Sequence, residues 1–299
     1  MNDRKQHVIK MAHHLFIEKG FQATSIQDIL DYSGISKGTF YNYFSSKNEL
    51  LIALFKMIYS KLEKDRNELL IGRDPSNIEI FIKQIELQME MNKTNKLYPL
   101  FEEVNFSNDA DLKQIIKKGQ LRMLRWLHGR FIDLFDDSKE PYLLDCAIMF
   151  TGILQHNLKY HAIAYESNAR IHQVVRYSVE RIVKIVNEVA EARDQLINPE
   201  LIESWLPDCK KSDLNFQQKL YRTVLELKKA LTNNENQSKY NELLDFVQDE
   251  LLHLKNPRKF LLESALESLK AGQSLFGTKE LQKLDQLVDD YFTQIEEQD

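Results

Sequence analysis

Apolar residues in this chain recur at intervals of three and four almost from end to end, and no segment alternates strictly for more than a few residues. That rhythm leaves no half-buried strands to form a sheet and predicts an all-α protein. Punctuation is sparse, with nine Gly and six Pro in 299 residues, so connections should be short and helices many. Helices are expected over 3–19, from Thr24 or Ser25 to about Tyr32, then over 36–44, 46–70, 75–93, 96–106, 109–135, 141–165 and 169–196. Three or four more are expected between 212 and 299, broken at Asn233–Asn236, Asn256-Pro257 and Gly272–Gly277. Several ends carry a mechanism. Gly20 ends the first helix and lets Phe21 fold back onto Phe16. Thr24 with Gln27, or Ser25 with Asp28, offers a capping box, and Ser46 with Glu49 offers another. Asp74-Pro75 reads as a helix start with Pro at the first helical position.

A chain that is 43% hydrophobic at this length has ample material for a core, and suits two domains or one domain with additions. Pro199 and Pro207 bracket a change in composition. Residues 200–299 hold 13 Lys+Arg against 19 Asp+Glu, net −6, which leaves net +1 for residues 1–199 out of a total of −5. A globally basic nucleic-acid binder is excluded, and only a local positive surface in the first two thirds remains open. No run of eighteen apolar residues occurs, so no membrane partner is expected. The polar N-terminus lacks the apolar centre of a signal peptide, and a cytoplasmic location follows as an expectation. The only cysteines, Cys146 and Cys209, could pair, although two isolated cysteines without a secretory signal are expected to stay reduced. No phosphate-cradling Gly-rich loop, no Cys-x-x-Cys and no His-Glu-x-x-His spacing occurs. An enzyme, a cofactor and a metal centre are therefore not expected.

The stretch from Gly34 to Leu50, GISKGTFYNYFSSKNEL, mixes four rings within five residues with small polar side chains. With Ser36 as N-cap, Phe40 and Phe44 share one face of a short helix while Gly38, Thr39 and Asn42 point the other way and Tyr41 and Tyr43 lie on the flanks. Gly38 removes a side chain where close approach helps, Thr39 and Asn42 can read base edges, and tyrosine hydroxyls can reach phosphates. Ser46 and Lys47 at the next helix start, and Thr24-Ser25 at the second, form phosphate sites. Two short helices joined by a tight turn and flanked by phosphate anchors make a helix-turn-helix. The same geometry also occurs as mere packing.

From Phe16 to Leu51 the order Phe16, Gly20-Phe21, Thr24, Ile26, Ile29, Gly34-Ile35-Ser36, Gly38, Tyr41, Tyr43-Phe44, Lys47 and Leu50 resembles the DNA-binding domain of TetR-family transcriptional regulators. Leu30 and Ser33 stand where that family usually has small alanines. The resemblance implies a helical homodimer. Thr24, Ser25 and Gln27 would lie at the DNA end of the second helix, Ser36 would cap the third, Lys37, Gly38, Thr39 and Asn42 would face the groove, and Tyr41, Tyr43 and Lys47 would hold the backbone. It implies a helix-turn-helix domain over 1–50, a ligand-binding and dimerisation domain over 51–206, and an extension over 207–299 beyond the family's common length.

The helix 171–190 carries a wide apolar stripe. With the resemblance, Val175, Val179, Ile182 and Val186 are expected in a dimer seam, although intramolecular core accounts for part of the stripe. Phe101, Trp126, Phe131, Phe150, His156 and Tyr160 are candidates for contact with a small effector, which an aromatic lining would make lipophilic. The expected function is a sequence-specific regulator of transcription, a ligand-responsive repressor that binds a pseudo-palindromic double-stranded operator as a dimer. The alternative is an architectural or interaction protein that holds a protein partner with its C-terminal helices.

Overall fold

A computed structural model describes residues 3–71, 73–106, 109–165, 170–205, 211–231, 237–253, 257–272, 275–276 and 278–296. Every regular element among them is helical. The chain divides into two compact units, residues 1–66 with 75–205, and residues 67–74 with 206–299.

The first unit begins with a head of short helices, α1 (Asp3–Lys19), α2 (Ile26–Ser33) and α3 (Lys37–Tyr43), and continues into the long α4 (Lys47–Glu68). Behind these come α5 (Ile78–Thr94), α6 (Leu97–Phe106), α7 (Ala110–Leu134), α8 (Leu143–Ala164), α9 (Ile171–Ala192) and the short α10 (Leu201–Trp205). Two apolar cores hold the unit together. The head core takes Val8, Ile9 and Phe16 of α1, Ile29 of α2, Phe40 of α3 and Leu50 to Ile58 of α4, and then reaches Leu97, Leu100 and Val104 of α6 and Leu112 and Ile116 of α7. The body core gathers Phe81 and Ile85 of α5, Leu127 and Phe131 of α7, Phe150 of α8 and the apolar stripe of α9. Between them α5 turns Gln84, Gln88 and Asn92 inward at four-residue spacing, all buried. Gln84 donates to the Arg66 carbonyl at 2.9 Å and accepts from Arg130 Nε at 2.9 Å, and Gln88 accepts from Arg66 at 3.0 Å. The Arg66 guanidinium lies 3.9 Å over the Trp126 ring.

Three boundaries differ from the sequence reading. The fifth helix starts at Ile78, because Asn77 is its N-cap and accepts the Glu79 N–H at 2.9 Å, while the Pro75 carbonyl is occupied by Arg130 at 2.8 Å. Residues Asp137–Tyr142 form a 3-10 turn containing Pro141, so α8 begins only at Leu143. The ninth helix stops at Ala192, where Arg193 turns left-handed. Cys146 is buried with a free thiol, whose pKa burial and neighbouring Asp145 push up to about 11. Cys209 and the break at Asn233–Asn236 lie outside the described residues.

Among the described residues the second unit is built of α11 (Lys211–Ala230), α12 (Gln237–His253), α13 (Lys259–Ala271) and α14 (Thr278–Glu296). α11 packs on α12 and α14, and α13 closes the ring by packing on both of those. Each helix gives one stripe to a single core, Leu220, Val224 and Leu227, then Leu244, Val247 and Leu251, then Leu262, Leu266 and Leu269, then Leu281, Leu284 and Val288. The result is a small four-helix bundle. Gly272 ends α13 against the Tyr240 ring, and a Cβ there would lie 2.5 Å from the Tyr240 hydroxyl. Gly272→Ala should therefore lower the stability of this bundle by about 1–3 kcal/mol, as overpacking does. Denaturant unfolding of the variant checks it, and an unchanged midpoint would refute the contact.

Candidate nucleic-acid interface

The head is built around two left-handed glycines. Gly20 (φ 86°) ends α1 and Gly34 (φ 65°) ends α2, a conformation in which any side chain is strained. The first reversal brings Phe21 onto Phe16 with ring centroids 5.2 Å apart. The second lets the Gly34 and Ile35 N–H groups return to the Leu30 carbonyl. Of the two capping boxes open to α2, the structure forms Ser25 with Asp28. Ser33 is buried and donates to the Ile29 carbonyl, and Leu30 is part of the head core, so both larger residues are accommodated. Ser36 caps α3 by accepting the Thr39 N–H at 3.1 Å. Phe40 and Phe44 enter the core. Lys37, Gly38, Tyr41 and Asn42 are exposed, and Thr39 and Tyr43 are half-buried.

The flanking residues divide in a way that spacing did not reveal. Ser25 and Gln27 are exposed, with Gln27 donating to Asp31 at 2.7 Å. The Lys19 ammonium at 2.9 Å, with Ser25, holds the Asp28 carboxyl well below the usual carboxylate range. Thr24 is only 1% exposed, and its hydroxyl donates to the Gly20 carbonyl at 2.7 Å, so its side chain offers nothing to a phosphate. Lys47 also turns inward. Its ammonium donates to the carbonyls of Phe21 and Thr24, each at 2.7 Å, and lies 4.5 Å over the Phe21 ring. Burial lowers its pKa, and Glu103 and Asp28 oppose that. Lys47 was expected to hold the DNA backbone, and in the structure its ammonium donors satisfy a turn of its own chain. Lys47→Ala should thus destabilise the head by about 1.5–3 kcal/mol, the scale of hydrogen bonds to a charged group. A thermal melt that does not move would return the residue to a purely electrostatic role. At the neighbouring corner, Glu49 accepts the Ser45 N–H at 2.6 Å while Ser46 accepts the Glu49 N–H at 3.1 Å.

Residues of the body reach the head. Glu103 of α6 accepts the Gln22 N–H at 2.9 Å, Asn48 donates to Asp109, and His13 Nε2 lies 3.3 Å from the Asn95 carbonyl. These pairs are more than 60 positions apart, and no spacing rule could have found them.

Of the six residues expected around an effector, Trp126, Phe131 and Phe150 meet around Phe81, and the other three lie apart from them. Phe101 packs on Phe55 in the head core. Trp126 lies between Arg66 and Phe81. Phe131 and Phe150 are fully buried around Phe81. His156 and Tyr160 stand exposed on α8. A hollow of about 350 Å³ opens at His161, Tyr165, Arg170 and Gln173, none of which was a candidate. The seam residues are corrected too. Val175, Val179, Ile182 and Val186 are buried in the body core of their own chain, because α9 packs on both α8 and α5. What remains outside is a stripe on α8, Met149, Ile153, His156, Tyr160 and Ile163, spaced by four and three. Ile163 is 66% exposed, and Tyr177 of α9 is also exposed.

Among the described residues no cluster of His, Cys, Asp or Glu could hold a metal ion, and no helix is long and apolar enough to cross a membrane. Residues 8–54 match the family model of bacterial regulatory proteins of the tetR family. Over 293 residues the chain is 28% identical to YerO, an uncharacterized HTH-type transcriptional regulator of Bacillus subtilis (strain 168), with 96% of each chain covered. That similarity therefore extends into the second unit. Over 56 residues the chain is 36% identical to KstR2, an HTH-type transcriptional repressor of Mycobacterium tuberculosis, covering 19% of this chain and 28% of that one. It is 43% identical over 51 residues to the Transposon Tn10 TetC protein of Escherichia coli, covering 17% and 26%. No solved structure matches the chain.

Proposed function

We infer, from a TetR-family DNA-binding domain at the head of a transcriptional regulator, that this chain is a ligand-responsive repressor that binds a pseudo-palindromic operator as a dimer. The observation that carries the reading is the outward face of α3, where Lys37, Gly38 and Asn42 stand exposed behind a helix anchored by Phe40 and Phe44. Such a helix fits the major groove, with Asn42 bidentate to a base edge and Tyr41 and Tyr43 on the backbone. Ser25, Gln27 and the first turn of α2 lie on the phosphate side, and Thr24 contributes through its fold alone. Dimerisation is supported by the open stripe on α8, whose four-three spacing is that of a helix–helix seam. Repression is supported by the name of the relative KstR2, an HTH-type transcriptional repressor similar over 56 residues. A small lipophilic effector would have to part the packed rings of Phe81, Phe131 and Phe150, and could act only through its different affinity for two conformers.

Selection of bound fragments from random DNA by the full chain at near-physiological salt tests the reading. Enrichment of an inverted repeat is the expected result. Salt-sensitive binding without a motif would instead favour an architectural role.

A further inference from the structure

The turn between α1 and α2 is held from two sides. On one side Lys47 binds the Phe21 and Thr24 carbonyls. On the other, Glu103 of α6 takes the Gln22 N–H at 2.9 Å. The Glu103 carboxylate lies against bare backbone, since a Cβ on Gly20 would come within 3.0 Å of its Oε1. Only glycine leaves room for that approach at a left-handed residue. The Thr24 hydroxyl closes the turn internally onto Gly20. The turn feeds straight into Ser25, the N-cap of α2, and so sets where the first turn of that helix stands. α6 itself is firmly seated on the head, with Leu97, Leu100 and Val104 in the same core as Phe16 and Phe55.

We propose that Glu103, supplied by the body, is a positioning residue for DNA binding that clamps the α1–α2 turn against Lys47 and so fixes the placement of α2 beside the reading helix. This rests on the reading of the head as a DNA binder. The apolar seat of α6 holds the fold without Glu103, so loss of the clamp should loosen the turn and leave the domain folded. The required property is an acceptor oxygen at the right reach. Glu103→Gln keeps that oxygen and discards the charge, whereas Glu103→Asp keeps the charge and withdraws the oxygen by one methylene.

The test compares wild type with Glu103→Ala, Glu103→Gln and Glu103→Asp on the DNA that wild type selects and on random DNA, with thermal unfolding as the control for folding. Ala and Asp should each bind the selected DNA roughly tenfold more weakly, about 1.4 kcal/mol, with random DNA unchanged. Gln should bind like wild type, and all four proteins should melt alike. Equal losses on random DNA, a Gln variant as weak as Ala, or wild-type binding by Ala would each overturn the clamp. Tighter binding of random DNA by both Ala and Gln would reduce Glu103 to a repelling charge and also overturn it. A wild type that enriches no sequence would overturn the DNA reading itself, and the clamp with it.

Discussion

Arg130→Ala should lower the stability of the first unit by about 1–3 kcal/mol, the cost of leaving a buried acceptor without its donor. Arg130 is 3% exposed and uses its whole fork, with Nε to Gln84 at 2.9 Å, Nη1 to Asp133 at 2.6 Å and Nη2 to the Pro75 carbonyl at 2.8 Å. Burial pushes its pKa down and Asp133 holds it up. Alanine would leave the side-chain carbonyl of the fully buried Gln84 without its donor, while Pro75 and Asp133, both exposed, can turn to water. Lysine cannot replace the fork, because one ammonium on a flexible stem cannot meet three diverging acceptors. Denaturant unfolding read on Trp126, which stacks on the same layer through Arg66, checks the value. A loss under 1 kcal/mol would mean that the layer rearranges freely around the gap.

On the proposal that two copies pair through the open stripe of α8, Ile163→Asp should abolish that dimer and weaken binding to a two-half-site operator by about a hundredfold or more, because each head would then bind alone and lose the effective concentration of its linked partner. Met149, Ile153, Tyr160 and Ile163 are spaced along one face of α8, and none is needed to fill the core of its own chain. A carboxylate within a buried seam is strongly disfavoured, yet the same substitution on an exposed surface leaves the fold unharmed. Sedimentation or light scattering of the variant, together with an unfolding curve, separates the two effects. A dimer that persists would place the seam elsewhere. A variant that unfolds would show that Ile163 belongs to the core after all.

These expectations show where local sequence information ends. Helix type, the reversals at Gly20 and Gly34, the Ser25 and Ser36 caps and the inward pair Phe40 and Phe44 follow from neighbours within about four residues. For such features the physical cause lies inside the quoted stretch. The same holds for the outward set on α3, since a helix with one apolar side has only one other side to present. For the second unit the periodicity likewise predicts three or four helices, and the four formed among the described residues bury their stripes against one another.

What periodicity reports is that a residue must be buried, never what will bury it. The stripe on α9 was therefore open to two partners, and in the structure it is buried against α8 and α5 of the same chain. The aromatic candidates were chosen by residue type alone, and packing distributed them over two cores and an open face. Lys47 looked like a phosphate anchor because helix starts attract anions, until the fold carried carbonyls from 23 and 26 positions away within its reach. Glu103 carried no signal at all, since its partner Gln22 is 81 residues distant and only the seating of α6 on the head brings them together. Helices, their caps and the outward face of α3 could be read from the sequence, because their causes are local. The tertiary structure alone decided which polar groups are occupied inside and which stripe stays open, because both depend on residues that meet only after the chain has folded.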